Sequence, residues 1–388
     1  MDQNTAVGVV GAGTMGQGIA QIASQNNQKV YLYDAYPDQL GKAKHALRKI
    51  LQRQVEKERM SQEEVDGIMD RIHFEEDLTN FGECGLVIEA VVEDLDIKQD
   101  VFQRLEGIVS HDCLLATNTS SLSIASISSA LKKPKRFLGI HFFNPAPIMP
   151  LVEIVPGIAT SEGVTEKARQ QIDDWGKTTV LAKDTPGFIV NRVARPFYSE
   201  AIRMYEEGVA DVPTIDWAMK EIGGFKMGPF ELMDFIGHDV NYKVTETVFE
   251  EFFYDPRFKP SFTQKRMVEA GWLGKKSGKG FYEYGDKANN PKPTKDKELG
   301  QQIVNRIVVM LVNEAADAVF MNVATIEDVD LAMTKGVNYP KGLLKWADEM
   351  GLREVLDRIS RLQTEYREDR YRPNPLLKRK VRNGETFY

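Results

Sequence analysis

Apolar positions along the chain follow two regimes. Up to about residue 185, short runs such as "AVGVV", "KVYLYD", "GLVIEAVVED", "LLATNT" and "RFLGIH" alternate with segments of helical periodicity. Strands alternating with helices predict βαβ units and an open parallel sheet. The alternation is interrupted at residues 38–72, where the pattern predicts two amphipathic helices broken near Ser61. From "DTPGFIVNR" onward the pattern is helical, and it occurs twice. "IVNR" begins at Ile189 and again at Ile303, 303 − 189 = 114 positions apart, and the same offset links Glu200 with Glu314, Asp216 with Asp330, Met219 with Met333, Gly228 with Gly342 and Asp234 with Asp348. A constant offset over this length predicts one helical domain present in two copies. Between the copies, "YGDKANNPKPTKDKE" is polar and reads as a linker. The expected division is 1–185 with the helical insertion 38–72, then 186–285, then 296–388.

The first strand runs into "GAGTMG", a GxGxxG pattern of Gly11, Gly13 and Gly16 that opens a helix. Gly11 suits a tight turn, Gly13 lets backbone approach a pyrophosphate, and Gly16 permits close helix packing, while the helix N-terminus offers N–H groups to phosphates. Asp34 closes the next strand, placed to accept hydrogen bonds from ribose hydroxyls. No arginine follows it in "DAYPDQ", so NAD is favoured over NADP. The strand "GLVIEAVVED" is expected to end at Glu93, and Gly11, Asp34, Glu93, Asn118, Ser120 and His141 all fall at carboxyl ends of predicted strands, where open parallel sheets collect ligand chemistry. The predicted class is thus α/β, a Rossmann-like NAD-binding domain followed by two related all-α domains.

The stretch "GIHFFNPAPIMPLVEIV" places His141 before, and Glu153 after, a turn with three prolines. Both positions are equidistant from Pro147. If the chain folds back there, imidazole and carboxylate come side by side, and a carboxylate inside an apolar run needs such a partner. The residues alone also allow a core histidine bonded to a backbone carbonyl and a glutamate that reaches solvent.

Composition narrows the function classes. With 388 residues, 42% hydrophobic and a net charge of −7, the chain can build more than one core and offers no general surface for nucleic acid or anionic membranes. Its longest apolar runs fall short of a membrane span, and no signal segment is expected before the first strand. Cys84 and Cys113 lack CxxC spacing, so neither a zinc site nor a disulfide is expected, and a reducing cytoplasm fits. One local basic run, Lys42, Lys44, Arg48, Lys49, Arg53 and Lys57, could hold a polyanion or simply be a solvated helix face.

From residue 5 to about 285 the sequence resembles the 3-hydroxyacyl-CoA dehydrogenase family, through "GVVGAGTMGQGIA", "VIEAVVEDLDIKQ", "ATNTSSLSI", "GIHFFNPAPIMPLVEIV", "KDTPGFIVNRV" and "GWLGKKSGKGFYEY". The resemblance implies NAD-dependent oxidation of an (S)-3-hydroxyacyl-CoA, or the reverse, in fatty-acid or butanoate metabolism. It implies His141 as acid–base with Glu153 as its partner, and Ser120, Asn144 and Asn191 as substrate-holding groups. Thr14 and Met15 within the glycine motif, with Asp34, Glu93, Lys98 and Asn118, match cofactor contacts. For coenzyme A the match is weaker: Ala46 and Arg53 stand near positions where the family uses serine and lysine, which leaves Lys49, Arg53 and Lys57 as the candidate cluster. No metal is implied. A free hydroxy-acid dehydrogenase of the gulonate dehydrogenase or lambda-crystallin type is the alternative, though "HFFNP" is of the acyl-CoA type; a non-catalytic NAD-binding protein would be expected to have lost part of the His141, Glu153, Ser120, Asn191 set. Duplication implies that the second helical copy takes the place of a partner subunit, giving a monomer with an internal pseudo-dimer, a homodimer through another face being the alternative.

Overall fold

The computed structural model describes residues 5–286 and 288–388. The chain divides between Thr185 and Pro186 into two compact units. The first is built on strands β1 (Ala6–Val10), β2 (Val30–Tyr33), β3 (Ile72–Glu75), β4 (Cys84–Glu89), β5 (Leu114–Thr117), β6 (Phe137–Phe142), β7 (Leu151–Pro156) and β8 (Thr178–Leu181). They form one sheet in the order β3-β2-β1-β4-β5-β6-β7-β8, in which β6 and β7 pair antiparallel and every other neighbour pairs parallel. Strands β1, β2, β5 and β6 are buried at every residue, as a parallel sheet covered on both faces requires. The covering helices are α1 (Thr14–Gln25), α2 (Pro37–Glu56), α3 (Gln62–Arg71), α4 (Leu95–Glu106), α5 (Ile124–Ser128) and α6 (Glu162–Asp174). Strand order reverses between β1 and β4, which sets a crevice at their carboxyl ends.

Three details differ from the sequence pattern. Ile72 is not part of the helical insertion: the helices occupy 37–56 and 62–71, and Ile72 opens β3, whose "IHFE" is too short and polar to stand out as a strand. Strand β8 and helix α6 were not predicted either. The strand expected to end at Glu93 ends at Glu89, four residues earlier in an unbroken apolar run. Ser61 does break the insertion, through a capping box with Glu64.

The second unit is helical, and its elements repeat at the sequence offset. Helices α7 (Val190–Val193) and α8 (Arg195–Glu206) correspond to the long α13 (Lys297–Phe320); α9 (Val212–Trp217), α10 (Pro229–Ile236), α11 (His238–Glu251) and α12 (Phe262–Glu269) correspond to α14 (Ile326–Leu331), α15 (Leu343–Met350), α16 (Leu352–Tyr366) and α17 (Pro375–Asn383). Each copy is closed by the same clasp. Asp216 accepts from the N–H groups of Phe230 and Glu231 and from the Tyr282 hydroxyl; Asp330 accepts from the N–H groups of Leu344 and Lys345 and from the Tyr388 hydroxyl. Asp234 then takes the N–H groups of Phe281 and Tyr282, as Asp348 takes those of Phe387 and Tyr388. Glycine is required at 228 and 342 because a Cβ there would lie 2.3 Å from the Asp216 or Asp330 carboxyl group.

The copies face each other through reciprocal ion pairs. Arg192 Nε donates to Glu314 at 2.8 Å, and its image Arg306 Nε donates to Glu200, the image of Glu314, at 2.9 Å. Arg257 and Tyr371, also equivalent, complete the two carboxylates at 3.2 and 3.0 Å. Phe225 packs edge-on against its own image, Tyr339, with ring centroids 5.0 Å apart. Residue i meeting j while j′ meets i′, with one residue meeting its own image, is the signature of an isologous twofold contact. Arg192 also holds Asp317 at 2.6 Å, and Arg257 shares both carboxylates. Arg192→Met and Arg257→Met are each expected to cost about 1–3 kcal/mol, and the double variant to exceed their sum by about 0.5–3 kcal/mol, because only then are Glu314 and Asp317 left without a cation. Denaturant titrations of the four proteins measure this coupling; strict additivity would refute the shared network.

Candidate active site

The glycine loop leaves β1 in a conformation few residues adopt. Gly11 has φ +103°, and a Cβ on it would lie 2.5 Å from the Ala90 carbonyl oxygen; one on Gly16 would lie 1.7 Å from the Gly11 oxygen. Both glycines are therefore demanded by packing. Gly13 is not, since a Cβ on it would meet nothing within 4 Å. It caps α1 without a side-chain hydrogen bond, and the first turn holds no acidic residue, so neither the cap nor that turn competes for the helix N-terminus. That open cradle at positive helix-dipole N–H groups fits a pyrophosphate. Asp34 accepts from the Ala12 N–H at 2.7 Å and the Tyr36 N–H at 3.0 Å, which holds the loop against β2 and keeps the carboxylate at the crevice edge.

A buried charge network lies at the ends of β4 and β5. Lys98, 1% exposed, sits between Glu89 at 2.6 Å and Glu93 at 3.2 Å. Glu89, wholly buried, also accepts from the Thr117 hydroxyl and the Val91 N–H, both at 2.7 Å. Glu93 accepts from the Thr119 and Ser121 hydroxyls and the Ser120 and Ser121 N–H groups, so one carboxylate organises the whole serine-threonine turn. Burial alone would raise the Glu93 pKa; the Lys98 charge and these donors outweigh it and hold the carboxyl below the ordinary value. Glu89 and Thr117 were missed in the sequence. A carboxylate inside "VIEA" nine residues before a lysine was the available signal.

The hairpin of β6 and β7 settles the question raised by "GIHFFNPAPIMPLVEIV". His141 and Glu153 are directly opposite in register, His141 Nδ1 lies 2.7 Å from Glu153 Oε2, and the Glu153 side chain is 0% exposed. Glu153 does not reach solvent, and the imidazole is not left to a backbone carbonyl. A carboxylate only accepts, so in a neutral imidazole the nitrogen facing Glu153 is the N–H donor. Phe143 lies against the imidazole, centroids 4.5 Å apart.

The other predicted residues are distributed as follows. Asn118 follows β5 and accepts from the Phe142 N–H at 2.8 Å, tying the crevice to the end of β6. Ser120 is half-buried in the turn held by Glu93, and Asn144 is exposed in the β6–β7 turn. Thr14 and Met15 open α1. Lys49 and Arg53 are exposed on α2 and Lys57 caps its end, four residues apart each time, so the three share one face. Asn191 belongs to the helical unit, half-buried on α7. Asp184, not predicted, receives the Ile124 and Ala125 N–H groups and the Ser123 hydroxyl, and so fixes the start of α5 after the serine turn.

Since the Glu93 pKa is lowered on folding, its contribution is complete above the unfolded carboxylate value of about 4.5 and is lost as pH falls through the folded value. Glu93→Gln is thus expected to lower stability by about 1 kcal/mol at pH 7, the low end for charged hydrogen bonds because the side chain is 37% exposed. The deficit should shrink below about pH 4.5. Chemical denaturation at pH 7 and pH 4 checks both; an equal deficit at the two pH values would contradict the charge network.

Comparison with known proteins shows the family. Residues 6–185 match the family model for the 3-hydroxyacyl-CoA dehydrogenase NAD binding domain, and residues 187–284 and 302–386 each match that for its C-terminal domain. The 3-hydroxyadipyl-CoA dehydrogenase of Escherichia coli is 36% identical over an alignment of 460 positions that covers 97% of each chain. A 3-hydroxybutyryl-CoA dehydrogenase of Bradyrhizobium diazoefficiens is 39% identical over 289 residues, 74% of this chain and 98% of its own. The crystal structure of an E. coli 3-hydroxybutyryl-CoA dehydrogenase superposes with a TM-score of 0.93 at 35% identity, covering 98% of both chains. Among the described residues no helix is long and apolar enough to cross a membrane. The chain belongs to the 3-hydroxyacyl-CoA dehydrogenase family and is an oxidoreductase that uses NAD.

Proposed function

We propose that the chain interconverts (S)-3-hydroxyacyl-CoA and 3-oxoacyl-CoA with His141 as acid–base. The contact that carries this reading is the 2.7 Å pairing of His141 Nδ1 with a fully buried Glu153. Bound NAD supplies the hydride acceptor. His141 Nε2 takes the 3-hydroxyl proton as the hydride departs, and Glu153 stabilises the resulting imidazolium without leaving its place. Ser120, Asn144 and Asn191 hold the substrate oxygens while charge shifts; Asp34 receives the adenosine ribose, with Gly13 at the pyrophosphate and Glu93, Lys98 and Asn118 shaping the crevice. Exposed Lys49, Arg53 and Lys57, none of them in an ion pair among the described residues, attract coenzyme A phosphates. The full-length E. coli relative named for 3-hydroxyadipyl-CoA makes a dicarboxylic acyl chain a candidate beside 3-hydroxybutyryl. We place the reaction in the cytoplasm, where two buried cysteines without a disulfide are at home, and, by the family resemblance, in fatty-acid or butanoate metabolism. The internal twofold contact favours a monomer, for which sedimentation velocity is the test.

His141→Gln is expected to lower kcat by about 10²- to 10⁴-fold in NADH-dependent reduction of acetoacetyl-CoA, with little change in cofactor affinity. Glu153→Gln should be nearly as harmful. Full activity of the Glu153 variant across the pH range would make the dyad structural. The same assay is expected to prefer NADH to NADPH, because a 2′-phosphate beside Asp34 meets a carboxylate and no cation; equal kcat/KM for the two would remove Asp34 from the ribose site.

A further inference from the structure

Arg195, at the start of α8, is the anomalous charge of the helical unit. It is 5% exposed, yet among the described residues no carboxylate lies within ion-pair distance of it. Arg192, Arg257, Arg306 and Arg370, its buried or half-buried counterparts, each hold at least one. Arg195 Nη1 donates to the Thr245 hydroxyl at 3.0 Å, the guanidinium lies over the Tyr198 ring, and Nε has no partner. The hydroxyl of buried Tyr339, which feels the Arg195 charge, has no partner either. A guanidinium cannot shed its proton, and an uncompensated buried cation is costly.

Beside it is a cavity of about 190 Å³. Arg195, Tyr198, Ser199, Ile202, Arg203 and Glu206 line it from one face of α8, with Thr245, Lys259 and Ser261 opposite. Of its two carboxylates, Glu368 is paired with Arg370 at 3.1 Å, while Glu206 accepts from the Thr263 hydroxyl at 2.6 Å and keeps its charge. Of its three cations, Arg203 lies 3.9 Å from Glu200, which leaves Arg195 and Lys259 outside any ion pair among the described residues, beside several hydroxyls. The duplication shows that the fold does not need them: the equivalents of Arg195, Tyr198 and Thr245 in the second copy are Val309, Val312 and Ile359, all 0% exposed.

We propose that this cavity is a carboxylate-binding site in which the Arg195 guanidinium receives the carboxylate and Lys259 adds to the positive field around it. A planar, permanently charged guanidinium at the cavity wall matches a carboxylate in charge and in donor geometry. The carboxylate has two sources. It is the far end of a dicarboxylic acyl chain, which rests on the dehydrogenase reading above, or it is a free dicarboxylate bound independently of turnover.

The test compares wild type, Arg195→Gln and Lys259→Gln in reduction of acetoacetyl-CoA and 3-oxoadipyl-CoA by NADH, and in thermal unfolding with and without adipate at matched ionic strength. Arg195→Gln is expected to lose roughly 10-fold or more in kcat/KM on 3-oxoadipyl-CoA, as for a lost charged hydrogen bond, while keeping acetoacetyl-CoA within about 2-fold. Lys259 is exposed, so its variant keeps the fold and should shift the same preference by less, with the effect fading in salt. Should the thioesters respond alike while adipate raises the Tm of wild type and not of the variants, the site stands and takes free carboxylates. Unchanged thioester preference together with no adipate effect on wild type overturns it. If wild type turns over neither thioester, the dehydrogenase reading fails and the adipate arm alone decides the site; if Arg195→Gln does not fold, Lys259→Gln decides both arms.

Discussion

A carboxylate buried completely inside a β-strand is tolerated only with a partner, and Glu153 has one because β7 runs antiparallel to β6. In an otherwise parallel sheet this one reversal places His141 directly opposite it. A parallel β7 would require a crossover and would separate the two residues. The neighbouring contacts follow from the same edge: Asn118 at the end of β5 holds the Phe142 N–H, so the strand that carries the imidazole is fixed on both sides. Position of the histidine is then a property of the sheet, which is stiffer than any loop.

At the adjoining strand ends the same problem has a different solution. Lys98 is enclosed by two carboxylates, and each of these spends its remaining oxygen capacity on hydroxyls and backbone N–H groups of the turns beyond β4 and β5. A half-satisfied buried network destabilises, whereas a fully satisfied one specifies a single loop conformation. The network thus converts burial of charge into a fixed shape for the turn containing Ser120.

Much of this was legible in the sequence, for physical reasons that can be named. Strand and helix alternation, the glycine spacing and the 114-residue offset are periodic signals, and periodicity survives without coordinates. The symmetric spacing of His141 and Glu153 about Pro147 made their pairing readable, since a hairpin conserves distance from its turn. The rest depended on competition between neighbours. The run "LVIEAVV" carries no mark of where its strand stops, so Glu93 stood in for Glu89. Strands β3 and β8, four residues each at opposite edges of the sheet, need too little burial to show an apolar pattern. Asp184 acts across 60 residues on α5, beyond any local signal.

The duplicated half supplies an internal control that a single domain lacks. Features kept in both copies are those the helical fold cannot do without: Gly228 and Gly342 beneath their aspartate clasps, Arg192 and Arg306 with Glu314 and Glu200 across the twofold contact. Features held by one copy alone are free of that demand. Where the second copy fills the position of Arg195 with Val309 and that of Thr245 with Ile359, both buried, it shows the apolar packing this scaffold adopts when nothing else is asked of it. A buried cation held against that alternative costs stability that close hydrophobic packing would return, so its presence in the copy joined directly to the nucleotide-binding unit is explained by what it binds.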